Sequence, residues 1–134
     1  MAEINIPFVE NKDGTITDKT TGLIWQQSPD REAAMSWDQA GDYVRKLNTG
    51  DRHEWRLPTK QELHNLTLSG GENPSQWLCD HGFEELEWGF YWTNTKHDKK
   101  PDHYWYVDMG TGEMGIHPKD NLYFVLAVCS SDTK

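Results

Sequence analysis

In the stretch "HEWRLPTKQEL", residues 53–63, Thr59 and Glu62 stand three positions apart as a capping box, and Pro58 ends an extended segment before them. A helix has to begin there, with Leu63 and Leu66 on its apolar side, Leu68 as a further candidate, and Pro58 and Leu63 spaced as a hydrophobic staple. Gly70-Gly71 would close it. An earlier box, Ser36 with Gln39, starts another helix in which Trp37, Ala40, Val44 and Leu47 recur at helical spacing, with Asn48 and Gly50 as the stop. The flanks read differently. Before the helices, Asp13-Gly14 marks a hairpin between "FVENK" and "TITDK", and "LIWQQ" with Trp25 is a short apolar strand. After them, "GFYWTNT", "HYWYVDM", "EMGIH" and "LYFVLAV" read as four strands, with "GTG" at 110–112 turning the second into the third. Strands, helix, helix and then an antiparallel set define an α+β chain rather than alternating β/α units.

The 134 residues fit a single domain, its core running from about 8 to 129. Only 35% of them are hydrophobic, so the seven Trp, five Tyr and four Phe have to supply much of the core area. Strand alternation places Phe90 and Trp92 on one face and Tyr91 and Thr93 on the other, while Trp105 and Val107 oppose Tyr104 and Tyr106. One face is then expected to be core and the other to offer tyrosines to a ligand. Trp25, Trp37, Trp55 and Trp92 are expected in structural roles. So is Arg56, bonding carbonyls or an acidic partner beside the Thr59–Glu62 box.

A net charge of −9 argues against nucleic acid and against polybasic membrane attachment. No charged-then-apolar leader stands in the sequence, and no apolar run approaches the ~20 residues of a membrane span. Membrane insertion is therefore not expected, and the compartment stays open. No cofactor is expected. "ENKDGTITD" only partly resembles a calcium loop, because Val9 and Thr20 stand where ligands are required. His97, His103 and His117 lack zinc spacing. No nucleophile elbow or phosphate loop occurs, so no enzyme activity is expected.

The strings "DGTITDKTTGLIW", Trp37-x-x-Ala40-x-x-Tyr43, "WRLPTKQEL", "WLCDHGF", "YWTNT" and "YWYVDM" together resemble a widespread bacterial domain family. That family includes the C-terminal domain of the Legionella collagen-like adhesin, and the likeness runs from about Phe8 to Cys129. The resemblance implies a C-type-lectin-like fold, two helices packed on antiparallel sheets with long loops, shared with formylglycine-generating enzymes and with variable proteins of diversity-generating retroelements. It also implies an exported or surface-displayed binding module for a glycan or protein, using the last strands and their loops. Carried onto this chain, the ligand-binding residues would be Asn94, Lys96, His97, Tyr104, Tyr106, Asp108, Glu113 and His117. An assembly domain forming a homo-oligomer is the alternative, and an enzyme related to formylglycine-generating enzymes a more distant one. The family's terminal strand usually ends in Arg. Here Cys129 stands at that place, which raises a Cys79–Cys129 disulfide as a candidate.

Overall fold

A computed structural model of the chain describes residues 8–29, 34–70 and 72–130. Among these residues there are three α-helices and two antiparallel sheets. The first sheet has the order β1 (Phe8–Glu10), β2 (Thr15–Asp18), β3 (Ile24–Gln26) and β7 (Val128–Cys129). The second has the order β4 (Phe90–Lys96), β5 (His103–Asp108) and β6 (Met114–Pro118). Between them in sequence come α1 (Trp37–Lys46), α2 (Lys60–Thr67) and α3 (Pro74–Asp80).

Local chemistry sets the helix starts. The Ser36 hydroxyl accepts the Gln39 N–H while the Gln39 side chain accepts the Ser36 N–H, and Thr59 and Glu62 repeat the exchange in α2. The expectation of two helices is corrected by α3, within a stretch that shows no apolar stripe. Its start signal is Asn73-Pro74: the Asn73 side chain accepts the Gln76 N–H, and Pro at the first helical position has no N–H to leave unpaired. Leu68 is corrected as well. It lies in a 3-10 turn after α2 and is 64% exposed. Gly71 lies outside the described residues.

The segment "LYFVLAV" does not run as one strand. Tyr123 pairs with Met35, Phe124 pairs with Tyr91 of β4, and only Val128–Cys129 joins β3. The segment passes between the sheets and changes backbone partner on the way. Its alternation separates two cores: Leu126 and Val128 enter one with Ile16, Trp25, Leu63, Leu78, Tyr91 and Val107. Val125, Ala127 and Cys129 enter the other with Ile24, Ala40, Val44, Trp55, Leu57 and Trp92. Both faces of β4 are therefore built into the interior at Tyr91, Trp92 and Thr93, which corrects the expectation of a single core face for that strand, whereas Tyr104, Trp105 and Tyr106 of β5 stay half-buried. The same partition accounts for the thiols. Cys79 packs against the first core, with its Sγ 3.4 Å from the Leu86 carbonyl, whereas Cys129 belongs to the second, and the two are not joined in a disulfide.

Arg56 joins the first sheet to α2. Its N–H donates to the Val128 carbonyl at 2.9 Å, and its carbonyl accepts the Val128 N–H at 3.0 Å. Its guanidinium meets Glu62 through two bonds, Nη1 to Oε1 at 2.8 Å and Nη2 to Oε2 at 2.9 Å. Trp55 beside it is buried, its indole N–H donating to the Thr49 carbonyl. Burial alone would raise the Glu62 carboxyl, but the Arg56 bonds and the Thr59 N–H together hold it below the usual 4.5. A depressed carboxylate stabilises the fold above its unfolded value, and that stabilisation fades as pH falls through the folded value. Acid titration followed by circular dichroism is expected to show wild-type stability declining below about pH 4.5. Glu62→Gln is expected to flatten that decline.

Candidate functional site

The second sheet carries an aromatic row on the face toward residues 117–124. The Tyr106 ring stacks between Phe90, 4.4 Å away between centroids, and His117, 4.8 Å away. Tyr123 meets Phe90 edge-on at 5.2 Å. The Tyr123 hydroxyl is held by Asn121 at 3.0 Å and by His117 Nδ1. Burial, and after it Tyr123, Asp108 and Glu113, push the Tyr106 phenol above its ordinary value.

One end of this row opens into a cleft of about 370 Å³ lined by Trp88, Phe90, Asp108, Leu122, Tyr123 and Phe124, with Gly89 and Ala34. Backbone pairing fixes its walls. Phe124 N–H donates to the Phe90 carbonyl at 3.0 Å, Trp92 N–H to the Phe124 carbonyl at 3.0 Å, and Met109 N–H to the Gly89 carbonyl at 2.8 Å. Tyr123 and Met35 exchange both of their backbone bonds. Gly89 turns the chain into β4 at φ +142, a conformation that L side chains rarely adopt.

Trp88 stands at the mouth. It is 74% exposed, and Leu122 across from it is 60% exposed, these two being, with Leu68, the most open large apolar side chains among the described residues. Trp88 also borders a second groove, lined by Asn73, Ser75, Gln76, Leu86 and Glu87, so its ring forms the ridge between two depressions. An apolar ring held at 74% exposure gains little from the fold. Gly110 seats this ridge. A Cβ on residue 110 would fall 2.9 Å from Trp88 Cβ and 3.2 Å from Asp108 Oδ1. Gly110→Ala is therefore expected to displace both walls together and to cost about 1–3 kcal/mol, measurable by denaturant unfolding and by movement of the Trp88 indole resonance.

Of the residues expected to bind ligand, Tyr106, Asp108 and His117 come together here, with only Asp108 lining the cleft. Asp108 Oδ1 also accepts the Gly110 N–H at 2.8 Å. Glu113 is exposed at the β5–β6 turn. Tyr104 stacks on Trp37 at 3.8 Å, and the Trp37 indole N–H donates to the Thr93 carbonyl, so that pair clamps α1 to the sheet. Asn94, Lys96 and His97 lie at the far end of β4. Asn94 donates to the Leu57 carbonyl, and His97 Nδ1 accepts the N–H groups of Lys99 and Lys100. Trp105 is covered by Lys60, its Nζ 3.7 Å from the ring centroid. The cleft residues Trp88, Phe90, Leu122, Tyr123 and Phe124 were not among those expected. The one signal for them is Trp88-Gly89, an aromatic set beside a turn residue. Among the described residues no group of three or more His, Cys, Asp or Glu is placed to hold a metal ion, and no helix is long and apolar enough to cross a membrane.

Fold and cleft together define a mixed α+β domain with an aromatic-lined depression between its second sheet and its terminal segment. The chain belongs to the Lcl C-terminal domain family, that of the C-terminal domain of the Legionella collagen-like protein, whose sequence profile matches residues 14–129. No curated protein matches the chain.

Proposed function

We propose that this chain is a non-catalytic ligand-binding module of C-type-lectin-like fold, recognising a glycan or protein through the Trp88–Asp108 cleft. The observation that carries this reading is the exposure of Trp88 and Leu122 over a preformed aromatic cleft. Tryptophan dominates many binding interfaces, and a cleft with backbone-fixed walls loses little entropy when it is filled. The family's implied use of its last strands and loops agrees with walls drawn from the ends of β4 and β5 and from residues 122–124.

The test is binding to a glycan array and to candidate surface proteins, repeated with Trp88→Ala and Tyr104→Ala. Trp88→Ala is expected to weaken binding roughly tenfold or more while leaving the melting temperature unchanged. Tyr104→Ala is expected to do the reverse, because Tyr104 is stacked on Trp37. Equal affinity of wild type and Trp88→Ala would place the ligand elsewhere. The exposed apolar pair also favours a second reading, an assembly surface between copies. A size increase with concentration that Trp88→Ala abolishes, with no ligand bound, would support it.

A further inference from the structure

We infer that the Trp88–Asp108 cleft takes the side chain of a lysine or arginine from a basic protein segment. This rests on the cleft being the binding site and names the chemistry of its occupant. Three observations bear on a cationic side chain against a sugar. The first is size, which admits either: about 370 Å³ is at the low end of small-ligand sites, enough for one side chain or one ring.

The second is the short supply of polar partners. Among the described residues, the polar side-chain groups on the cleft wall besides Asp108 are the Trp88 indole N–H and Tyr123, whose hydroxyl is engaged by His117 and Asn121. A sugar ring would bring several hydroxyls to walls of Trp88, Phe90, Leu122 and Phe124, leaving them poorly matched. A lysine or arginine needs the opposite arrangement. Its methylene stem seeks apolar walls, its charged head seeks one carboxylate, and aromatic faces attract it as a cation.

The third is charge. Among the described residues no Lys, Arg or His lines the cleft, while Asp108 does. The chain's net charge of −9 attracts a cationic partner from solution and opposes a second copy of itself.

The inference is tested by titrating the full chain with a blocked pentapeptide of four glycines around one arginine, alongside its lysine counterpart and its neutral citrulline isostere. The readout is the nuclear magnetic resonance shift of the Trp88 indole N–H and of the backbone at residues 89–90 and 122–124. The expected result is a saturable shift for the arginine and lysine peptides, at least tenfold weaker for citrulline, weakened several-fold by Asp108→Asn and by added salt. The shifts at 89–90 and 122–124 should vanish in Trp88→Ala. Shifts spread over the acidic surface that survive Trp88→Ala would reduce the effect to general charge attraction and overturn the inference. So would arginine and citrulline binding equally. A neutral oligosaccharide that moves the Trp88 resonance while the arginine peptide does not would overturn the cation while leaving the ligand-binding function in place. If glycans, proteins and peptides all leave Trp88 unmoved, both readings fall.

Discussion

Trp92→Ala is expected to destabilise the domain by about 3–5 kcal/mol and to lower its melting temperature by roughly 10–20 °C. Trp92 is fully buried, its indole N–H donates to the Met35 carbonyl at 2.9 Å, and Tyr123 packs on its ring with centroids 4.8 Å apart. Met35 and Tyr123 are bonded to each other through the backbone, so the indole ties β4 to the two segments that frame the cleft. Removing it opens a void in the second core, and the surrounding backbone, fixed by sheet pairing on both sides, has little freedom to collapse into it. Trp92→Phe separates the contributions. It keeps most of the ring volume and deletes the N–H; the Met35 carbonyl still accepts the Tyr123 N–H, so the loss is that of one ordinary hydrogen bond, about 0.5–1.5 kcal/mol. A denaturant series on the three proteins checks both values. A loss below about 1 kcal/mol for Trp92→Ala would mean that the second core is loosely packed and that the cleft walls are not held from beneath.

Arg56→Ala is the second large effect. It removes a bidentate partner from Glu62, whose side chain is 22% exposed, while the Arg56 side chain itself is 37% exposed. The pair thus falls between the surface limit, where ion pairs contribute little, and the buried limit, where orphaning one partner is severe; about 1–2 kcal/mol is expected. Thr59 still donates its N–H to Glu62, which keeps the capping box partly intact. None of these atoms lines the Trp88 cleft. Ligand affinity of the folded fraction should therefore equal that of wild type, measured below the onset of unfolding. If affinity falls while stability holds, the Trp55–Arg56 pair is a site rather than a joint between the first sheet and α2.

The joint was legible in the sequence because a capping box is a local code. Ser36–Gln39 and Thr59–Glu62 specify helix starts through bonds that span three residues, so no distant neighbour is needed to read them. α3 carries no such code in its apolar pattern: it is seven residues long and buries Pro74, Ser75 and Leu78, which leave no regular apolar stripe. The alternation of "LYFVLAV" was visible, but not that its two faces enter two different cores, because that depends on sheets distant in sequence. Tyr106, Asp108 and His117 were reachable because strand register carries them onto one face. Asn94 and Lys96 lie on β4 with Phe90, and His97 just past it, yet six residues at about 3.3 Å each put Phe90 and Lys96 roughly 20 Å apart. Trp88 shows the limit most clearly. An indole beside Gly89 reads the same whether it is buried or open, and only the packing of distant segments around it decides that it stands 74% exposed.

The central claim is that ligand meets the chain at Trp88 and Asp108, not along the outer half of β4 and the loop after it. Backbone and indole chemical-shift mapping of the full chain, with bound ligand or with the arginine pentapeptide, tests this directly. The predicted result is a contiguous set of perturbations at the Trp88 indole, residues 88–90, Asp108 and residues 122–124, with little change from Asn94 to Tyr104. Perturbations centred on Asn94, Lys96 and His97, with an unmoved Trp88 indole, would contradict it.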